Sequence, residues 1–430
     1  MKRRDFFGGL IATASLASGI MEPEKRKPFA AEADIFASFP VDSLRREYRK
    51  YLFDDFLPFM DQYVIDPEFG GFMVFCDRDG SRLDTRKGTW YEGRGIWIYS
   101  FLYREMAREF RYLETAKRSV DFILRSLPGG DAFWPDLLTR EGRPVGGPSR
   151  TLYGDLYVAA GLAEFGLAAG DRSYGNLARK ILLKCLDVYD RPDYDSIEHP
   201  QDPVRGPRRQ NVPMLVLPVA TSLLKAGRDP EVEAIAARAV KAVIERHFNP
   251  DYGLNNDILN HDYSLPAPGG HGQYVSFLIS IQTLWMILDE AVRIGNRELF
   301  QTAAERIRRH LEVAWDDVYG GLFPVLRRVD DDLWDTSKPL SVQVEALIAL
   351  IKIIEHAGAS WAADWFQKLF SFVTRNYVQK TNGLPLWQGA GDRKVTFIKN
   401  TSSVDVFHQP RHLLIILIVL ERMCRQRNSR

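Results

Sequence analysis

A histidine near the end of the chain is the sharpest candidate for chemistry. The segment Phe407–His412 reads FHQPRH, and its proline suits the first turn of a helix. An imidazole changes charge near neutral pH, so a histidine at a helix start that faces a cavity can take up and return a proton. A lone histidine is more often structural, and the spacing alone leaves both roles open for His408.

Three further segments, each at the predicted start of a helix, carry side chains that bind hydroxyl or carbonyl oxygens. They are Trp90–Arg94 (WYEGR), Tyr153–Asp155 (YGD) and Asn211–Met214 (NVPM). Arginine keeps its charge and offers a fixed fork of donors, whereas a buried Asp155 needs a partner. A surface ion pair between Arg94 and Glu92 fits the spacing equally well.

The elements that must position these residues are helices. Apolar residues recur at three- and four-residue spacing, and no segment alternates for long as an amphipathic strand does. The chain is therefore predicted to be all-α. The predicted helices cover about 41–63, 90–109, 111–127, 151–169, 172–189, 213–227, 229–248, 275–295, 296–314, 341–357, 359–380 and 409–425.

The connections alternate between tight turns after even-numbered helices and long loops after odd-numbered ones. Glycine signals in the long loops lie roughly 60 residues apart. One interval is 124 residues long, and residues 192–196 lie where the intervening loop is expected. Two of these loops have similar sequences, DPEFGGF at Asp66–Phe72 and DVYGGLF at Asp317–Phe323. This period indicates one helical hairpin per repeat.

Six such hairpins can close into an (α/α)6 barrel, a six-hairpin toroid that leaves no exposed end. Even-numbered helices would form its inner ring, and all long loops would open on one rim with the candidate residues. An open superhelical array of the same hairpins is the alternative architecture.

The composition of the chain limits the classes of molecule that it is expected to bind. Lys plus Arg at 57 nearly balances Asp plus Glu at 56, so we expect neither nucleic acid nor a membrane surface as a partner of the mature protein. The three cysteines match no metal spacing or disulfide framework, and no phosphate-binding glycine loop is present. We therefore predict no metal and no cofactor.

The first residues resemble an export signal. Arg3 and Arg4 precede two phenylalanines and a short apolar run, as in a twin-arginine signal. We assign residues 1–38 to signal and linker and 39–430 to the helical domain, and we expect a periplasmic or extracellular protein. A homodimer is left open.

From about Leu44 to Leu420 the chain resembles the N-acylglucosamine 2-epimerases and the related cellobiose 2-epimerases and aldose–ketose isomerases, as a divergent member. The matching pieces are Gly93–Trp97 with Phe101 and Tyr103, Tyr153–Asp155, Met214, Ile281–Met286 with Asp289–Ala291, Lys338 with Gln343 and Glu345, and Phe407–His408 with Pro410–Arg411.

The resemblance implies a free sugar as substrate and proton abstraction beside its carbonyl, through an enediolate. It implies that His408 is a base, that Arg94 is a donor to the oxyanion, and that Asp257 stands where the family has a glutamate. The resemblance and the helix-start positions together predict the substrate-binding residues Trp90, Tyr153, Asp155, Asn211, Met214, Gln282, Trp285, Lys338, Glu345 and Arg411.

The chain also departs from the family. The Gly-His-x-Ile-Glu segment of the eighth helix reads LISIQ at Leu278–Gln282, so isoleucine replaces the second histidine and Gln282 replaces a glutamate. Leu340 and Ser341 replace a tryptophan pair. His271 and, less directly, His261 are candidates to substitute for the missing histidine.

Three functions follow from this pattern. The first is a sugar epimerase or isomerase, and isomerisation survives the loss of one base better than epimerisation does. The second is a glycoside hydrolase of the same architecture, which would draw paired carboxylates from Asp155, Asp257 and Glu345. The third is an exported protein that binds a glycan without turnover.

Overall fold

The computed structural model describes residues 39–194, 204–267, 271–378, 384–386, 392–396 and 402–428. The predicted export signal and linker, residues 1–38, lie outside the described residues. The predicted all-α class is confirmed, and each of the twelve predicted helices is present in the described part of the chain.

The even-numbered helices are α2 (Thr89–Glu105), α4 (Tyr153–Ala169), α6 (Asn211–Ala226), α8 (Phe277–Ile294), α10 (Leu340–Ala357) and α12 (His408–Asn428). The odd-numbered helices are α1 (Val41–Arg49, continuing through π-helical turns to Val64), α3 (Phe110–Leu124), α5 (Arg172–Tyr189), α7 (Pro230–Lys241, continuing as Ala242–Arg246), α9 (Arg297–Ala314) and α11 (Ser360–Asn376).

The even-numbered helices form a closed inner ring. Each contacts the next around the ring, from α2 through α4, α6, α8 and α10 to α12, and α12 packs back against α2 and α1. This closure identifies the (α/α)6 barrel and excludes the open array. Tight turns end α4, α8 and α10 at Gly170, Gly295 and Gly358, all in the left-handed conformation that glycine adopts without strain.

The long loops pair through short antiparallel strands. These are β1 (Lys87–Gly88), β2 (Leu137–Leu138), β3 (Pro144–Val145), β4 (Arg208–Arg209), β5 (Phe248–Asn249), β6 (Leu254–Asn255), β7 (Ile258–Leu259), β8 (Val275–Ser276), β9 (Val325–Arg328) and β10 (Leu333–Asp335). The sheet orders are β1-β2-β3, β10-β9-β8, β4-β7 and β5-β6. The pairs β4-β7 and β8-β9 join loops of neighbouring hairpins, which braces the rim around the starts of α6, α8 and α10.

The two loops with similar sequences have the same internal hydrogen bonds, but the equivalent aspartates differ from those that the sequence comparison paired. Asp66 accepts from the buried Lys87 ammonium at 2.9 Å and from Arg140, and Asp316 accepts from the buried Lys338 ammonium at 2.7 Å and from Arg393. Asp316, rather than the Asp317 of the sequence comparison, is therefore the equivalent of Asp66. Burial acts to raise the pKa of both aspartates, but the paired cations lower it below its ordinary value.

A second contact repeats between these hairpins. The Glu92 carboxylate accepts from the Phe72 amide at 2.8 Å, and the Gln343 side chain accepts from the Leu322 amide at 2.9 Å. Each residue lies in the first turn of an inner helix and holds the loop that precedes it. Among the described helices, none is long and apolar enough to cross a bilayer.

Candidate active site

His408 is the first residue of α12, and a capping aspartate fixes its position. The Asp405 carboxylate accepts from the backbone amides of Phe407 and His408, each at 2.9 Å, and so supplies partners for the free N–H groups of the helix start. The His408 side chain is about 15% exposed. Its Nδ1 lies 2.9 Å from Oε1 of Glu345 on α10.

Glu345 joins three side chains at the base of the rim. Its carboxylate also accepts from the Arg411 guanidinium and, at 2.8 Å, from Nε1 of Trp285. Burial acts to raise the pKa of Glu345, but Arg411 and His408 outweigh it and lower the pKa to about 2. The ionised carboxylate accepts the Nδ1–H of His408, which leaves Nε2 as the ring nitrogen that can accept a proton.

Arg94 lies in the second turn of α2 among aromatic rings. Its Nη2 donates to the Tyr157 hydroxyl at 2.7 Å, and its guanidinium carbon lies 4.2 Å from the Tyr157 ring centre and 5.0 Å from that of Phe407. Within the described residues it has no carboxylate partner. The surface pair of Arg94 with Glu92 is excluded, because Glu92 is buried and binds Phe72 and Ser119.

One ring connects the two candidate catalytic groups. Phe407 packs against the His408 imidazole at 5.5 Å, against Arg94, and against Arg411 at 4.0 Å from its guanidinium carbon. A histidine that can accept a proton and an arginine that can donate hydrogen bonds thus contact the same phenyl ring. The structure therefore brings His408 and Arg94 together.

A cavity of about 390 Å³ lies on the barrel axis and reaches this region at Arg94, Phe407 and Arg411, whereas His408 and Glu345 are not among its lining residues. Its lining includes five residues expected from the sequence, namely Arg94, Met214, Gln282, Trp285 and Arg411. With its amide oxygen turned toward Arg411, Gln282 accepts from Nη2 at 2.9 Å. The volume falls within the range of roughly 300–1,000 Å³ that small-molecule sites occupy.

Four other expected residues lie nearer the rim and outside the lining of this cavity. Trp90 is 41% exposed and lies 5.2 Å from Arg94, and Asn211 begins α6. Tyr153 is buried at the start of α4. Asp257 is mostly buried, and its backbone carbonyl accepts from the Gln210 amide at 2.8 Å.

Two predicted sugar-binding residues are engaged with other groups of the protein. Asp155 is fully buried and accepts from the Trp134 amide at 2.9 Å and from Lys184 at 2.6 Å. Lys338 is fully buried in its ion pair with Asp316. Both residues stand near helix starts and their polar atoms already have partners within the protein, so their assignment to sugar binding stays a prediction.

Neither candidate substitute for the second histidine reaches the cavity lining. His271 begins a single 3-10 turn and packs edge-on against Tyr274. His261 contacts Arg208 and the Gly206 carbonyl. The sequence reasoning missed Tyr157, which lines the cavity; its spacing of four residues from Tyr153 on the same helix could have indicated it.

The profile of the N-acylglucosamine 2-epimerase (GlcNAc 2-epimerase) family matches residues 70–409. The N-acylglucosamine 2-epimerase of Mus musculus is 25% identical over 377 residues, covering 84% of this chain and 88% of its own length. A solved cellobiose 2-epimerase from Bacillus thermoamylovorans superposes with a TM-score of 0.76 at 16% identity, covering 89% of this chain and all of the other.

A solved D-mannose isomerase superposes with a TM-score of 0.70 at 16% identity, covering 91% of this chain and all of the other. At these identities the solved structures establish the fold, and the profile match over most of the chain establishes the relationship. The chain belongs to the N-acylglucosamine 2-epimerase family.

Proposed function

We propose that this protein epimerises or isomerises a free sugar by moving the proton on the carbon beside its carbonyl. The observation that carries the proposal is the Glu345–His408 pair next to Arg94 and the axial cavity. The family match and the sugar epimerases and isomerases among its relatives support the same reaction class.

The proposed reaction begins when His408 Nε2 removes the proton from C2 of the open-chain sugar. The electron pair moves onto the carbonyl oxygen and gives an enediolate, whose charge Arg94 stabilises through hydrogen bonds. Glu345 keeps the imidazole oriented and balances the imidazolium that forms. A positioned base of this kind contributes roughly 10²–10⁴-fold to the rate.

The fate of the proton decides the product. His408 on its own can return the proton to C1 on the same face while the proton of the O2 hydroxyl passes to O1, which converts an aldose to a ketose. Inversion at C2 needs a second donor on the opposite face. In the described part of the chain no histidine lines the cavity: His408 adjoins it through Phe407 and Arg411, His356 lies beside Glu355 near the end of α10, and His247, His310 and His412 are fully buried. This arrangement favours aldose–ketose isomerisation.

A panel of sugars in heavy water distinguishes the candidate functions. Aldoses, N-acetylhexosamines and disaccharides would be incubated with the purified protein, and proton NMR would follow deuterium at C2 and new sugars. We expect C2 deuterium and a ketose or an epimer. Release of a monosaccharide from a disaccharide would instead establish hydrolysis, and binding without exchange would establish a glycan-binding protein.

The structure gives the hydrolase little support. Asp155 and Glu345 are both fully buried and engaged, and Asp155 lies outside the cavity lining. None of the three proposed carboxylates lines the axial cavity, where a glycosidic bond would have to lie between a pair of them.

Export remains part of the proposal, and it rests on residues 1–38 of the sequence. Replacing Arg3 and Arg4 with lysine should retain the protein in the cytoplasm, whereas the unchanged protein should appear in the exported fraction. Equal export of both would contradict a twin-arginine signal. Sedimentation of the mature protein would test the homodimer.

A further inference from the structure

The axial cavity continues far beyond the residues expected to hold a sugar. Its lining runs down four inner helices, from Arg94 to Glu105, Met214 to Lys225, Gln282 to Arg293 and Arg411 to Arg422. At 1.5 Å per residue, each of these segments spans roughly 16 Å. The cavity therefore extends from the level of Arg94 to the face of the barrel where the tight turns lie.

The middle of this cavity is a chamber with apolar walls. Its walls include Phe101, Leu217, Pro218, Met286, Ile415 and Ile418. Pro218 lacks a backbone N–H, and the Trp97 and Phe101 rings stack on each other at 4.6 Å, so that each covers one face of the other. The polar residues that line this part of the cavity, Glu164, Thr221 and Ser222, already hydrogen-bond within the protein. A hydroxyl group placed against the apolar walls would therefore lose water at a cost of about 1–3 kcal/mol.

The far end of the chamber is polar and reaches solvent. Lys352 pairs with Asp289 at 2.7 Å, Arg293 with Glu290 at 2.6 Å and Arg422 with Glu355 at 2.6 Å. Lys225 and Arg422, which line the cavity here, are exposed. Because these pairs neutralise most of the charge, the end is a solvated mouth rather than an anion site.

We propose that the chamber takes an unbranched apolar chain of several methylene groups attached to the sugar, so that the preferred substrates are free sugars that carry an acyl chain much longer than acetyl. This inference rests on the proposed function, since it places the sugar ring at His408 and Arg94. The acyl chain would extend past Phe407 and Arg411 along the axis. Its methylene groups would contact the apolar walls, and a long chain would emerge at the mouth by Lys225.

Two ligand series test the chamber by calorimetry, which needs no turnover. N-acyl-D-glucosamines and 6-O-acyl-D-glucoses, each with acyl chains of increasing length from acetyl to decanoyl, cover two points of attachment. In at least one series, affinity should rise by up to about fourfold per methylene and level off once the chain passes the mouth. Flat affinity in both series would overturn the proposal, as would tighter binding of a disaccharide than of any acylated sugar.

A substitution that fills the chamber, compared with the same substitution outside it, tests where the acyl chain binds. Ala160 lies on α4 and lines the cavity, so Ala160→Leu should remove most of the gain from long chains and leave the affinity for the acetyl compound within about twofold. Ala169→Leu makes the same change at the exposed end of the same helix and should preserve the chain-length dependence. Equal behaviour of the two variants would show that the chain binds elsewhere.

Deuterium exchange on the same ligands separates this inference from the proposed function. Exchange at C2 without any effect of chain length would leave the epimerase or isomerase in place and remove the chamber as a binding site. Chain-dependent binding without exchange of any sugar would retain the chamber and remove the proposed reaction.

Discussion

Glu345 is the residue on which the candidate site depends, because His408, Arg411 and Trp285 all donate to it. Glu345→Gln would leave the buried Arg411 without a countercharge. We expect the free energy of unfolding to fall by about 3–5 kcal/mol and proton exchange at C2 to be lost. Urea denaturation measures the first effect and NMR the second.

A surface carboxylate provides the control. Glu312 pairs with Arg308 at 2.9 Å, with both side chains about half exposed, so Glu312→Gln should change stability by no more than about 1 kcal/mol. If Glu345→Gln were as mild as Glu312→Gln, Glu345 would not hold the site together.

The same residue predicts a pH dependence. The pKa of Glu345 falls from its ordinary value of 4.5 in the unfolded chain to about 2 in the folded one. Its ionised form therefore stabilises the protein fully above pH 4.5, and this contribution is lost as pH falls towards 2. Thermal unfolding of wild type and Glu345→Gln should differ most at neutral pH and converge on acidification. A constant difference between pH 7 and pH 3 would contradict the depressed pKa.

At the scale of elements, Glu92 and Gln343 occupy equivalent positions, so exchanging glutamate and glutamine at each one tests how a buried carboxyl affects stability. Each lies in the first turn of an inner helix and binds the loop before it, yet burial raises the pKa of Glu92 from 4.5 to about 7. The folded state thus keeps a proton that the unfolded state releases, so stability falls as pH rises from about 4.5 to 7. Glu92→Gln should stabilise the protein at pH 8, by up to about 3 kcal/mol, and have little effect at pH 4.

Gln343→Glu is the converse change. It should destabilise the protein increasingly as pH rises, because the new carboxylate would be buried beside the Leu322 carbonyl that Gln343 now donates to at 2.8 Å. Denaturant midpoints for both variants across this pH range provide the measurement. A stability of Glu92→Gln that falls with pH as steeply as that of wild type would contradict the account.

The helices could be predicted because their signals are local. Apolar spacing located all twelve, and Gly170, Gly295 and Gly358 end helices as left-handed residues, as their positions indicated. The spacing of residues could not predict which side chains at helix starts face the barrel axis. Asp155 and Lys338 stand at helix starts like Arg94, but whether such a side chain turns toward the axis or into a loop depends on partners such as Lys184 and Asp316, which are distant in sequence.

At the scale of the molecule, the repeat predicted the ring and the ring predicted the meeting of His408 with Arg94. The axial chamber was beyond prediction, because it depends on how six helices leave space between them rather than on any one helix. The sequence comparison matched Asp66 with Asp317, whereas the structure matches it with Asp316. The difference arises because the hydrogen bonds to the glycine turn, which the sequence does not show, define the equivalent aspartate.

The most direct test of the account is proton exchange at C2 in heavy water with His408→Ala beside wild type and His271→Ala. Wild type and His271→Ala should place deuterium at C2 of the preferred sugar. His408→Ala should do so at least about 100-fold more slowly, with sugar affinity largely kept. Exchange at the wild-type rate in His408→Ala would contradict the assignment of this histidine as the base.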